Sequence, residues 1–276
     1  MWQLFQFPLC PFSRKVRLLL GEKGIGYDLV RESPWEMRDE FLDLNPAGTT
    51  PVVVDQEKGV TLIDSQAICE YFEETVEKFP LISGTAAGRA EVRRLTAFFD
   101  QNFYGDVVGP LLHERMKKRL IERVSPDARV LREAMRRANV HMDYMDYLLD
   151  HRSWMAGGTL SLADIAAAAH LSVADYLGGI DWAGHEPVKR WYAGFKSRPS
   201  FRPLLSERME VITPPTHYEK PDFKRAQGGL VRLGSQIDPV AAMFLGQVER
   251  PVGGLQRGAR VVIGQDIGDA GGKAHP

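Results

Sequence analysis

The apolar positions change their rhythm twice along the chain. In the first 80 residues, short apolar runs alternate with amphipathic stretches. Residues 4–7 form a run ended by Pro8, which predicts a buried strand. Residues 13–23 put Val16, Leu19 and Leu20 on one face and stop at Gly24, which predicts a helix. A second strand is expected over 27–31 and a short helix over 41–44, closed by Asn45-Pro46. Residues 51–55 and 60–63 read as a hairpin around QEKG, followed by a helix over 65–79. The order is β-α-β-α-β-β-α.

Pro80, Gly84 and Gly88 then supply loop chemistry, and the period becomes helical throughout 88–212. A long helix is expected over 90–120, with the aromatic stripe Phe98, Phe99 and Phe103. Ser125-Pro126 reads as an N-cap and first-turn pair opening a helix that reaches Leu149. In Ser161-Leu162-Ala163-Asp164, the aspartate can return a bond to the Ser161 amide, a capping-box variant ahead of an alanine-rich helix over 163–177. Further helices are expected over 187–196 and 203–211. Pro214, Pro215 and Pro221 keep 213–223 extended, as a strip that either meets a partner or lies on its own body as a strap. After Phe223 the last 53 residues hold 11 of the 26 glycines and a single aromatic, Phe244, so 224–276 is expected to be largely disordered. The organisation is therefore an α+β fold: 1–80 mixed, 81–87 a linker, 88–212 all helical, 213–223 an extended segment, 224–276 a tail.

Composition narrows the class. With 44% hydrophobic and 26% charged residues in 276, the chain resembles a soluble globular protein and not a fibre or a wholly disordered one. A net charge of -1 gives no reason to expect a nucleic-acid partner. No stretch approaches 18 apolar residues and no leader pattern is seen, so no membrane insertion and a cytoplasmic location are expected. Two cysteines, Cys10 and Cys69, make no disulfide framework and suit a reducing compartment. The histidines are scattered without ligand spacing, and no metal site is expected.

Three places carry candidate chemistry. Cys10-Pro11-Phe12-Ser13 joins the first strand to the first helix, where the positive end of the helix dipole favours a thiolate; a plain, unreactive loop cysteine is the alternative. Thr50-Pro51 opens a strand, where a cis bond or an ordinary turn are both open. At Asp64-Ser65 the serine can cap the next helix, or the free N–H groups there can bind a carboxylate. The basic run HERMKKRLIER (113–123), with Arg129, Arg132, Arg136 and Arg137, is either a solvated helix face or an attractor of an acidic partner.

Taken together in this order, CPFS, NPxGxxP and Asp-Ser within the βαβαββα unit, then SLAD in a helical half, resemble the glutathione transferase superfamily over residues 1–212. The resemblance implies a thioredoxin-like half that binds glutathione: Cys10 or Ser13 at the thiol, Thr50 and Pro51 at the cysteinyl backbone, Asp64 and Ser65 at the γ-glutamyl end. The helical half would take the electrophile. RESPWE (31–36), NPAGTTPV (45–52), SLADIAAAAHLSVADYLG (161–178) and above all PPTHYEKPDF (214–223) are similar to the FzlA branch, whose members bind filaments of the tubulin homologue FtsZ at the division site and are not established enzymes. This implies an FtsZ-binding homodimer that promotes constriction, with no cofactor or with glutathione at a retained or vestigial site, and a contact surface built from Trp35, Asp222 and Phe223, with His217 and Tyr218 in the same aromatic strip. Trp35, beside Pro34 in a connection, is either exposed as an interface anchor or packed on the domain edge. The alternative is a glutathione-dependent thiol transferase using Cys10. The chain departs from the branch in the 53 residues after Phe223.

Overall fold

The computed structural model describes residues 1–210 and 212–220. The expectations for Asp222, Phe223 and the tail fall outside the described residues. Strands β1 (Trp2–Gln6), β2 (Tyr27–Arg31), β3 (Val52–Asp55) and β4 (Val60–Ile63) form one sheet in the order β2-β1-β3-β4. β1 runs parallel to β2 and antiparallel to β3, and β3 pairs antiparallel with β4. The registers Leu4↔Val53 and Phe5↔Val52 put these residues on alternating faces. Val52 and Val54 meet Phe41 of helix α2 (Asp39–Leu44), with Phe5 and Leu44 around them. Every residue of β3 is buried, as expected of a central strand covered on both faces.

Helix α1 (Pro11–Lys23) starts two residues earlier than the periodicity suggests, because Cys10 itself is the N-cap. It ends at Gly24, whose φ of 69° lies where only glycine is unstrained. Helix α3 (Ser65–Thr75) is shorter than expected, and its cap is Asp64, not Ser65: the Asp64 carboxylate accepts from the amides of Gln66 (2.8 Å) and Ala67 (3.0 Å). Asp64 pays for this with φ 73°, a conformation that Asp tolerates better than most residues.

In the helical half, α4 (Ala86–Ala97) continues into wide π-type turns over Phe98–Val108, the short α5 (Gly109–Leu112) and π-type turns again over His113–Glu122. The expected long helix is there, but wider winding re-aims its side chains. Helix α6 (Ala128–His151) is capped by Asp127, which accepts from the Arg129 amide at 2.7 Å, and not by Ser125. All residues of α7 (Leu162–Tyr176) are buried, which its apolar, alanine-rich sequence allows. The Asp164 carboxylate at its start accepts from Ser161 N (3.0 Å), Ser161 Oγ (2.7 Å) and Met155 N (2.8 Å). Helices α8 (Glu186–Lys196) and α9 (Arg202–Ser206) complete the half, α9 stopping well before the predicted end. No described helix is long and apolar enough to cross a membrane.

α1 packs along α7 and joins the two halves. Residues 215–218 form a turn closed by Tyr218 N to Pro215 O at 2.9 Å, so this segment is folded and not extended.

Candidate functional site

The site begins where β1 hands over to α1. Cys10, in extended backbone at φ -79°, leaves its side chain beside the first free amides of the helix. Its Sγ accepts from Ser13 N at 3.5 Å and donates to the Thr50 carbonyl at 3.4 Å. The Thr50–Pro51 peptide is cis. Asn45 holds the preceding turn, donating from Nδ2 to the Thr49 carbonyl at 2.7 Å and accepting from Ala47 N at 3.1 Å. Cys10 is half-buried and free, whereas Cys69 is fully buried, and burial pushes its thiol up to about 12.

These residues open into a cavity of about 480 Å³, within the range of small-molecule sites. Cys10, Thr50, Pro51, Asp64 and Ser65 lie on its sheet side, so five of the expected positions converge there. Ser13 does not: it faces the interior at 0% exposure, and its Oγ has no hydrogen-bond partner. This corrects the expectation that Ser13 could meet a ligand thiol. A helical residue three after the cap points away from the mouth that the cap side chain faces. Asp64 is on the wall, but its carboxylate is engaged in capping α3.

Trp35 is also on this wall, and it is half-buried, not open. The Pro34–Glu36 turn lays its ring edge-on to Phe7, with centroids 4.9 Å apart. The indole thus belongs both to the rim of the cavity and to the surface beside it.

The opposite wall comes from the helical half: Tyr104, Leu112, Met116, Lys117 and Ile121. The sequence reading took 113–123 as a charged face and missed it. The available signal was Leu112, Met116 and Leu120 four residues apart, and the π-type turns then displace the stripe so that Ile121 and Lys117 reach the cavity. Tyr104 packs on Phe12 at 4.9 Å; burial first, and the neighbouring Cys10 second, raise its phenol above the ordinary value, so it stays protonated. The cavity is a largely apolar slot, with Thr49, Thr50, Asp64, Ser65, Tyr104 and Lys117 as its polar lining beside the thiol.

His217 and Tyr218 are elsewhere. Tyr218 is completely buried; its ring stands edge-on to Tyr176 at 5.1 Å, and its hydroxyl accepts from Arg14 at 3.1 Å. It therefore cannot meet a partner directly, which corrects its place in a contact strip. His217 is half-buried, with Nε2 2.8 Å from Asp175 Oδ1. Together they pin residues 214–220 to the body as a strap.

Among the described residues, one acidic cluster has metal-like spacing: Asp143, Asp146 and His185. Its bonds are structural. Asp146 accepts from Val188 N at 3.0 Å, capping α8, and holds His185 Nδ1 at 2.6 Å.

The glutathione S-transferase N-terminal domain model matches residues 9–75, and the C-terminal domain model matches 105–199. FtsZ-localized protein A from Caulobacter vibrioides is 45% identical over 222 residues, spanning 80% of this chain and 97% of that protein. A solved glutathione S-transferase from Rhodospirillum rubrum superposes with a TM-score of 0.79 at 46% identity, covering 81% of this chain and all of that one. FzlA from C. crescentus superposes with a TM-score of 0.78 at 44% identity, covering 80% and 99%. These likenesses show that the chain belongs to the glutathione S-transferase family, in the branch that includes FtsZ-localized protein A.

Proposed function

We propose that this protein is a division-site adaptor that binds FtsZ filaments and promotes constriction, using the glutathione S-transferase fold as a scaffold and not for turnover. The observation that carries the proposal is 45% identity across 97% of FtsZ-localized protein A. The contact surface proposed is Trp35 at the cavity rim together with Asp222 and Phe223 just beyond the strap, with His217 and Tyr218 anchoring the strap. A cytoplasmic homodimer would present this surface twice and bundle filaments by avidity. The domain division proposed is 1–80, a linker at 81–87, 88–212, a contact segment at 213–223 and a separate tail at 224–276.

The test is co-sedimentation of the full chain with GTP-assembled FtsZ, beside a version ending at Phe223. The parent is expected in the pellet, Cys10→Ala is expected to follow it, and Trp35→Ala and Asp222→Ala are expected to stay in the supernatant with unchanged circular dichroism. If neither version of the parent sediments with filaments, the adaptor reading fails.

One observation favours a second reading, a glutathione-dependent thiol transferase: the Cys10 thiol is half-exposed on a small-molecule-sized cavity. That reading requires saturable glutathione binding and turnover that disappears in Cys10→Ala.

A further inference from the structure

A second cavity, of about 430 Å³, lies on the other side of the π-type segment His113–Glu122. Its apolar floor is Leu131, Leu177 and Ile212, and Pro214 and Pro215 of the strap form one edge. Two guanidiniums look into it, Arg115 and Arg119, four residues apart and so on one side of the helix.

Among the described residues that line this cavity, the only charges are positive. Arg115 is half-buried and donates to the Leu177 carbonyl at the end of α7. Arg119 is exposed, and among the described residues neither guanidinium has a carboxylate within ion-pair distance. The neighbouring acids are engaged elsewhere. Glu114 turns inward to Lys118 and the Asp127 amide, Glu122 lies 3.9 Å from His113, and Asp127 caps α6 beside Arg129. Burial first, and the Arg119 charge second, hold the Arg115 guanidinium below its ordinary value, the mark of a cation short of counter-charge. Like charges side by side on one helix face, next to an apolar floor, are costly unless something negative arrives.

We infer that this cavity is a docking site for an acidic peptide segment of a partner protein, one that sets a carboxylate between Arg115 and Arg119 and an apolar side chain on Leu131, Leu177 and Ile212. Guanidiniums bind carboxylates through paired N–H donors, and the neighbouring apolar floor makes the match specific to an acidic residue next to a large aliphatic one. This site does not depend on the cavity at Cys10 or on the filament reading, and either can fail without the other.

The test is fluorescence anisotropy with the full chain and a fluorescein-labelled peptide, Asp-Glu-Leu-Asp-Leu-Glu. Two control peptides replace the acids by their amides or the leucines by serine. The acidic leucine peptide is expected to bind and both controls to bind much more weakly. Arg119→Glu is expected to weaken binding about tenfold or more, with Arg119→Lys between it and the parent. Arg119 is exposed, so both variants should keep the parent's thermal unfolding midpoint. Equal binding of the serine peptide, equal binding by Arg119→Glu, or displacement by millimolar inorganic phosphate would each overturn the proposal, the last by reducing the site to a simple anion trap.

Discussion

Helix α1 has two sides with opposite chemistry. On one side, Cys10, Pro11 and Phe12 border an open, mostly apolar cavity. On the other, Arg14, Lys15 and Arg17 are almost fully buried against the helical half. Arg14 donates to the Pro8 carbonyl (2.8 Å), Ser172 Oγ (2.8 Å) and the Tyr218 hydroxyl (3.1 Å), and lies 3.6 Å from Glu207. Lys15 bonds Asp100, whose other oxygen lies 2.9 Å from His170 Nε2. Arg17 bonds the same Glu207. Buried charges persist only where each has a partner, and here every one is paired with an opposite charge, although Arg14 Nη2, Arg17 Nε and Glu207 Oε2 make no hydrogen bond of their own. The cavity is the reverse: its few polar atoms are incompletely used, and that leaves it able to bind. The seam fixes how the two halves meet, and the cavity inherits its shape from that fixed meeting.

The largest expected effect comes from breaking the seam. Arg14→Met leaves Glu207 short of a partner and removes the donor to Tyr218, Ser172 and Pro8, and should cost about 3–5 kcal/mol. Trp35→Ala, at the cavity rim, should cost only about 1 kcal/mol. Urea unfolding midpoints of the two variants measure the contrast directly. Similar losses in both would mean that the seam is no more structural than the cavity wall.

A smaller effect should appear in the pH dependence. Burial outweighs the Asp100 bond and lowers the His170 pKa below 6.5. As pH falls through about 6.5 the unfolded chain takes up a proton that the native seam refuses, so His170 removes stability on the acid side. His141, buried beside Asp106, acts in the same direction. His185 does the opposite: its bond to Asp146 raises its pKa, so its contribution is complete below 6.5 and is lost as pH rises through the native value. Asp164, pushed up to about 6 by burial, also favours the folded state as pH falls from about 6 toward 3.8. Variants separate these contributions where the raw profile does not. Between pH 7 and pH 5, His170→Gln should lose less stability than the parent and His185→Gln should lose more. The same slope in all three proteins would remove the seam histidine as a source of acid sensitivity.

The sequence reading reached the fold through residues whose local chemistry and tertiary role agree. Gly24 suits the end of α1, Pro51 stands just ahead of β3, and Asp164 is placed to bond the Ser161 amide. It failed where tertiary packing decides. Ser125-Pro126 looks like a helix start, but Asp127 takes the cap once Glu114 holds its amide. Five expected cavity positions were legible because one half supplies them from neighbouring turns. The opposite wall was not, because the π-type winding that turns Lys117 and Ile121 inward has no simple signature in the order of residues. Tyr218 was misplaced for the same reason: its burial depends on Arg14, 204 residues earlier in the chain.

The smallest effect on stability is expected at the thiols, and it bears most directly on what the cavity can do. Cys10 is half-exposed on the cavity wall, and Cys69 has 0% exposure inside α3. A reagent of iodoacetamide's size can reach the first without unfolding, but reaching the second requires the packing of α3 against α1 to open. Burial also holds the Cys69 thiol protonated, at about 12, so it is a poor nucleophile even when approached. Mass spectrometry should therefore find a single adduct, at Cys10, in the native protein and a second, at Cys69, only in urea. Cys10→Ala should remove the native adduct and shift the unfolding midpoint little, since the Cys10 thiol makes only long contacts, 3.4 and 3.5 Å. Native labelling at Cys69 would show that the region behind the cavity opens readily. The cavity would then not be a rigid slot held by the seam, and its contrast with the seam would fail from the cavity's side.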